Sequence, residues 1–164
     1  MRTPMSFDPK ALRGALGRFA TGVTITTCRG SEGEPVGLTV NSFSALSLEP
    51  PLVLWSLRLA SPAVAAFRHA GHFAINVLAM SQLDLSRRFA SPVPDRFAEG
   101  RWRDGQGGSP VLEGACAVFE CATEAELPMG DHLLFVGRVL ALHETPVAPL
   151  LFRSGHYHQL GPLV

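Results

Sequence analysis

The sequence predicts a mainly β domain, a closed antiparallel barrel with short helices flanking one side. Three observations carry this. Runs of β-branched and apolar residues recur along the chain, as at Val23–Cys28, Leu52–Leu57 and His132–His143. Glycine and proline are abundant, at 16 and 13 of 164 residues, as a strand-and-turn protein requires. No strand–helix–strand unit repeats through the chain, which argues against a doubly wound α/β sheet. Hydrophobic residues make up 46%, enough to exclude disorder over most of the chain. Residues 1–164 are expected to form a single domain with its core over about 8–160. A chain of this size exposes about 7,900 Å² folded against about 25,500 Å² unfolded, so one core suffices.

Asp8 and Pro9 open the first element, because an aspartate accepts first-turn N–H groups and proline fits the first helical position. Leu12, Leu16 and Phe19 share a face of that helix, which is expected to end near Gly22 with Arg13 and Arg18 in its C-terminal half. Val23–Cys28 is a strand, Arg29–Glu34 a turn and Val36–Phe43 the return strand, where Gly37 and Asn41 mark a bulge or a close backbone approach. Ser44–Glu49 is less regular. Pro50 and Pro51 lead into Leu52–Leu57, apolar enough for burial on both faces. Ser61 and Pro62 start a short helix that stops by Gly71.

His72–Leu78 alternates, with Phe73, Ile75 and Val77 on one face and Ala74 and Asn76 on the other. Ser81 and Asp84 resemble a capping box before a helix with Leu85 and Phe89 on its apolar face. The long connection from Pro92 to Pro110, anchored by Phe97 and Trp102, suits a lid or a subunit contact. Ala115–Leu127 is a long strand with Ala115, Ala117, Phe119 and Cys121 inward and Glu120, Glu124 and Glu126 outward. The chain turns at Met129-Gly130-Asp131, returns along His132–His143 and ends in a strand over Leu150–His158.

Fourteen basic residues balance fourteen acidic ones with no basic stripe, which argues against nucleic acid as a partner. Thirteen of the basic residues are arginine, the better fork for phosphate and carboxylate. The low charged fraction, 17%, points to a surface partly covered by another subunit. No apolar leader precedes Asp8 and no run reaches eighteen apolar residues, so the expectation is a cytoplasmic protein with no membrane partner. Cys28, Cys116 and Cys121 imply no disulfide framework and are expected as small buried hydrophobes.

Reactive constellations are few in the sequence. His156 and His158 would share a strand face, but no third ligand presents itself, and no metal is expected. There is no nucleophile elbow, no Cys–His signature and no carboxylate pair placed for hydrolysis. Phosphate-binding loops of the Walker or Gly-x-Gly-x-x-Gly type are absent. Small hydroxyls and an amide nonetheless crowd Thr39–Ser44, with Thr21, Thr24, Thr26 and Thr27 nearby. Ser56, Arg58 and Ser61 then place hydroxyls and a cation at a helix start, which Arg87 and Arg88 could close. From spacing alone, ordinary turn chemistry and β-propensity are the favoured account of the same residues.

Several segments, in order, resemble the flavin reductase-like family, the FMN-binding split-barrel reductases. They are Arg18-Phe19-Ala20-Thr21-Gly22-Val23, Gly37 to Phe43, Ser47 to Val53, Phe73 to Leu78, Gln82, Arg88-Phe89, Asp95-Arg96-Phe97, Gly130-Asp131-His132, Val136 to Val139 and Gly155-His156-Tyr157. The resemblance implies a Greek-key antiparallel split barrel and a homodimer. It also implies hydride transfer from NADH or NADPH to FMN or FAD, with reduced flavin passed to a partner monooxygenase. The same scaffold also serves FMN-holding oxidoreductases with other acceptors, and non-catalytic flavin binding. By motif, Thr39, Asn41, Ser42 and Ser47 would line the flavin ring and ribityl chain. Ser56, Ser61 and Arg87 or Arg88 would approach the phosphate, and His132 and Tyr157 the nicotinamide side. Such chemistry needs aligned rings rather than an obligatory side-chain acid or base, in keeping with a sequence that presents no catalytic dyad.

Overall fold

The computed structural model describes residues 7–164; Arg2 lies outside them. The elements begin with α1 (Pro9–Leu16), β1 (Thr21–Gly22), β2 (Thr24–Arg29), β3 (Pro35–Val40), β4 (Ser44–Leu48) and β5 (Pro51–Arg58). Then come α2 (Val64–Ala70), β6 (His72–Val77), α3 (Leu83–Phe89), β7 (Trp102–Asp104) and β8 (Pro110–Leu112). The last are β9 (Ala117–Met129), β10 (His132–Glu144), β11 (Leu151–Arg153) and β12 (His156–His158).

Seven strands form one antiparallel sheet in the order β3-β2-β6-β9-β10-β5-β4. Its edges, β3 and β4, share no ladder, so the sheet is not closed by hydrogen bonds as a full barrel would be. Yet the edges are consecutive in the chain, joined only by residues 41–43. A link from Val40 to Ser44 spans at most about 15 Å. Seven flat strands would hold their edges about 29 Å apart. The sheet is therefore curled until its edges meet at one corner, a barrel left open along a seam.

The barrel interior is aromatic. Trp55 on β5 stacks on Phe135 of β10 at 4.9 Å and meets Phe67 of α2 and Phe73 of β6 edge-on. Val53, Leu57, Ile75, Cys121 and Leu133 fill the space around them. The backbone of β10 must come close to this cluster: a Cβ on Gly137 would lie 2.4 Å from the Phe73 ring. A second cluster, including Val23, Ile25, Leu78 and Phe89, lies under α3 and the β11–β12 hairpin.

Several sequence expectations need correction. α1 ends at Leu16 rather than near Gly22, and its apolar residues Leu12 and Leu16 are exposed. The Asp8 cap is as expected, its carboxylate accepting from Lys10 and Ala11 N–H. Gly37 marks a close approach and not a bulge: the β2–β3 register is unbroken, and a Cβ there would meet the Phe89 and Phe97 rings at 3.0 Å. The segment expected to be irregular is edge strand β4, which carries a register shift between Ala45 and Ser47. β5 alternates instead of being buried on both faces; Val53, Trp55 and Leu57 are inside while Ser56 is half-buried. β6, expected to alternate, is buried on both faces because the β7–β8 hairpin covers its outer side. There Asn76 is satisfied by Ile25 O and by the Leu112 N–H.

α2 begins at Val64 with no side-chain cap, although Ser61 Oγ accepts from Ala63 N–H. Gln82 rather than Ser81 secures the approach to α3, its Oε1 accepting from Ala79 N–H. The 92–110 connection packs against its own chain through Phe97 and Trp102, which meet Phe89 ring to ring. The final strand is two, β11 and β12, folded back at Ser154-Gly155. Cys28 and Cys121 are buried and Cys116 only partly so; burial pushes the Cys28 and Cys121 thiols up to about 12.

Glu120 is the largest departure. Expected outside, it is 3% exposed. The hairpin turn around Gly105–Ser109 covers that face of β9, and the carboxylate fastens it. Oε2 accepts from Gln106 N–H at 2.7 Å; Oε1 accepts from His143 Nε2–H at 2.9 Å and from Arg103 at 3.2 Å. Burial alone would push its carboxyl up, but the Gln106, His143 and Arg103 bonds outweigh it and hold it below the ordinary glutamate value of 4.5. A carboxyl lowered in the folded state stabilises fully above its unfolded value, and loses that contribution as pH falls through the folded one. Glu120→Gln is therefore expected to lower the melting temperature at pH 7 by a few degrees, at about 2–4 °C per kcal/mol for a domain of this size. The wild-type advantage should vanish below pH 4.5, toward the folded value. Melting curves from pH 7 to 3 check it; a constant difference over that range would refute the assignment.

Candidate functional site

The open seam is where polar residues collect. Ser42 lies just past β3 at the register position facing Ser56, where β4 would sit if it ran two residues further. Its side chain takes the place of the missing ladder: Ser42 Oγ donates to Ser56 O at 3.0 Å and accepts from Ser56 N–H at 3.0 Å. On the β3 side, Thr39 Oγ1 donates to Ser86 O of α3 at 2.7 Å. These bonds hold the Thr39–Ser42 corner between α3 and β5.

A cleft of about 320 Å³ opens on this corner, lined by Thr39, Asn41, Ser42, Ser56, Ser61 and His132, with Arg58 at its rim. Leu38 and Val40 supply its apolar wall, and no carboxylate lines it. Arg58 is exposed and forms no ion pair among the described residues. The β5–β10 register sets His132 opposite Arg58. The Asp131 carboxyl is held below the ordinary aspartate value chiefly by its hydrogen bond with His132 and the His132 charge, with a smaller contribution from the Arg58 charge. An ionised carboxylate only accepts, so His132 Nδ1–H donates to Asp131 Oδ1 at 2.7 Å, leaving Nε2 unconstrained by it.

Six of the ten sequence-predicted residues thus share one cleft. Tyr157 does not; it borders a separate apolar cavity of about 190 Å³ that has Thr39, Val40 and Asn41 as a common wall with the first. Its hydroxyl is 2.8 Å from Ser86 Oγ, its ring meets Phe152 edge-on, and the Arg87 guanidinium stands 5.8 Å from the ring centroid. Arg87 also lies 3.7 Å from Asp84. Arg88 donates from Nε to Arg96 O at 2.9 Å and also bonds Asp95 O. Ser47 sits on β4, half-buried opposite Leu52. None of these four lines the cleft.

One contributor, Ser86, escapes sequence reasoning, and Arg58 reads only as part of an anion seat at a helix start. Ser86 is fully buried and ties both Thr39 and Tyr157 to α3; nothing about a lone helical serine signals that. Arg58 carried a signal, as a cation beside small hydroxyls at a helix start. A flavin brings a flat ring with polar edges, a polyhydroxyl chain and, as FMN or FAD, an anionic end. An apolar wall, hydroxyls, one amide and an unpaired guanidinium without a carboxylate fit that group.

The model of the family described as "Flavin reductase like domain" matches residues 16–161. The chain belongs to the flavin reductase-like family. A probable flavin reductase of Rhizobium meliloti is 45% identical over 92% of the chain, and the reductase subunit Stc3 of stachydrine N-demethylase from the same organism is 41% identical over 92%. The chain spans 49% and 66% of those two relatives. The reductase subunit HsaB of a flavin-dependent monooxygenase from Mycobacterium tuberculosis is 42% identical, with 94% of the chain and 84% of HsaB covered. Among solved structures, the NADH:FAD oxidoreductase of Streptomyces globisporus, in complex with NAD and FAD fragments, superposes with a TM-score of 0.89. It is 36% identical, over 96% of the chain and 97% of that protein. The flavin reductase-like fold here is mainly β with flanking helices. Among the described residues no helix is long and apolar enough to cross a membrane.

Proposed function

We propose that this chain is an NAD(P)H-dependent flavin reductase that transfers hydride to FMN or FAD and supplies reduced flavin to a partner monooxygenase. The observation that carries the reading is the acid-free, hydroxyl-rich cleft at the barrel seam, within a flavin reductase-like chain. Bound flavin supplies the electron-accepting ring. The protein's part is to bind and orient. Leu38 and Val40 would stand against the ring, Thr39, Asn41 and Ser42 against its polar edge and side chain, and Ser56, Ser61 and Arg58 would hold the phosphate. His132, held by Asp131, and Tyr157, held by Ser86, flank the Thr39–Asn41 strip on which the nicotinamide approaches. A relative named as the reductase subunit of a flavin-dependent monooxygenase, and another named as the reductase subunit of an N-demethylase, support the partner.

The working form is proposed to be a homodimer, which would cover Leu46, Leu48, Leu140 and Leu142, exposed by 46–96% on β4 and β10. A steady-state assay of NADH and NADPH oxidation with free FMN, FAD and riboflavin tests the function, and light scattering at about twice 17.6 kDa the assembly. The expected result is turnover limited by added flavin. A stoichiometric flavin that copurifies and never exchanges would instead indicate an FMN-holding oxidoreductase. No oxidation with any flavin would refute the reading.

A further inference from the structure

Ser86 lines neither cavity of the site, yet it is bonded to a wall of each. It has no exposed surface, and different parts of it make the two bonds. The main-chain carbonyl accepts from Ala90 N–H at 3.2 Å, at the end of α3, and from Thr39 Oγ1–H at 2.7 Å. A carbonyl oxygen has two lone pairs, so both bonds fit on it. The hydroxyl is left for Tyr157 alone, with 2.8 Å between the two oxygens.

The hairpin that carries Tyr157 depends on that contact. β12 is the free edge of the small sheet β1-β11-β12. Beyond its ladder to β11 and a bond within the turn, its one hydrogen bond to the rest of the molecule, among the described residues, is Tyr157 to Ser86. Phe152 meets the Tyr157 ring edge-on at 5.4 Å, and the Arg87 guanidinium stands 5.8 Å from its centroid. Neither contact fixes the ring's direction: Arg87 is largely exposed, and the terminal torsion of a tyrosine is broad. A hydrogen bond to a hydroxyl buried on a helix does fix it. The pair is also asymmetric. Tyr157 is half-buried beside a cavity roomy enough for water, whereas Ser86 has no other partner to turn to.

We infer that Ser86 is a positioning residue for the nicotinamide donor. Its hydroxyl sets the Tyr157 ring against the Thr39–Asn41 strip, while its carbonyl separately sets Thr39 in the flavin cleft. The donor's approach along that strip rests on the reductase reading. Donor side and flavin side are thus held by separable halves of one residue, and alanine removes the first half while keeping the second.

Ser86→Ala and Tyr157→Phe delete the same bond from opposite ends and leave the ring in place. In steady-state assays at saturating FMN, each should raise the Michaelis constant for NADH or NADPH about twofold to tenfold, the equivalent of one neutral hydrogen bond. The double variant should go no further than either single one. FMN and riboflavin affinities, from fluorescence quenching, should stay within about twofold, because alanine keeps the carbonyl that holds Thr39. Urea titrations add a readout that needs no activity. Tyr157→Phe strands a buried hydroxyl and should lower the folding equilibrium constant about fivefold to a hundredfold. Adding Ser86→Ala removes the stranded group and should restore part of that loss. Unchanged donor dependence in both single variants, additive losses in the double, or flavin affinity falling in parallel with donor dependence would each overturn the inference. So would a double variant less stable than Tyr157→Phe. A wild type that oxidises neither NADH nor NADPH with any flavin would remove the reductase reading and the donor assignment with it, while restored stability in the double variant would still establish the Ser86–Tyr157 bond.

Discussion

Replacing Trp55 by alanine is expected to cost about 3–5 kcal/mol of folding stability, the range for deleting a buried aromatic from a packed core. Trp55 has no exposed surface and is stacked on Phe135 with edge contacts to Phe67 and Phe73. It therefore joins β5, β6, β10 and α2 in one contact. At about 2–4 °C per kcal/mol, the melting temperature should fall by about 6–20 °C. Trp55→Phe separates shape from chemistry. The indole N–H is buried with no partner in the structure, so phenylalanine removes an unsatisfied donor while it leaves a smaller cavity. The two effects oppose, and the phenylalanine variant should lie more than 2 kcal/mol above the alanine one on this reasoning. Urea titrations of both variants measure the difference. Equal losses would mean that the ring's packing contributes little and that the barrel interior is loose.

Strand identity was legible in the sequence wherever side-chain character was local. Val23–Cys28 and His132–His143 announce themselves through β-branched and apolar runs, and Asp8-Pro9 through capping chemistry that needs only neighbouring residues. What failed was burial decided by a distant segment. Glu120 reads as an outward residue because its neighbours alternate, yet the loop carrying Gln106 and Arg103 folds over that face and offers three donors. β6 misleads for the same reason: Ala74 and Asn76 look like a solvent face until β8 covers them. Ser154-Gly155 split the last strand because a tight reversal there lets β12 pair with β11, and a short apolar-aromatic run carries no sign of its own length.

The site was legible as composition and not as geometry. Small hydroxyls between hydrophobic strands mark Thr39–Ser44, and the structure gathers Thr39, Asn41, Ser42, Ser56, Ser61 and His132 around one cleft. The reason is topological. β3 and β4 are opposite edges of the sheet joined by residues 41–43, so the curled sheet brings the polar connection onto β5. Chain proximity could not distinguish Arg58 from Arg87 or Arg88 as the phosphate partner, since all three lie near helix termini. Only the hydrogen-bond inventory separates them. Arg88 is committed to the carbonyls of Asp95 and Arg96, Arg87 faces Asp84 and the Tyr157 ring, and Arg58 has no ion-pair partner beside the cleft.

That inventory yields the other large expected effect. Arg58→Ala should weaken FMN binding by about tenfold to a hundredfold, the equivalent of one charge-assisted hydrogen bond of about 1.5–3 kcal/mol. Riboflavin has the same ring and ribityl chain without the phosphate, so its affinity should change little. Arg88→Ala should behave differently: its guanidinium fastens the 95–96 segment, so its loss should lower stability more than it discriminates FMN from riboflavin. Salt provides an independent readout. Arg58 is exposed, and a charge contact at the rim of an open cleft is screened within a Debye length of about 8 Å at physiological ionic strength. Raising the salt concentration should therefore weaken FMN binding in the wild type and flatten in Arg58→Ala, with riboflavin insensitive in both. Fluorescence titrations of the two flavins across the variants and salts measure all of this. Equal losses of FMN and riboflavin in Arg58→Ala would make Arg58 a structural residue of β5. A selective FMN loss in Arg87→Ala or Arg88→Ala, with Arg58→Ala unchanged, would move the phosphate to α3, because only a residue touching the phosphate can separate two ligands that differ by that group alone.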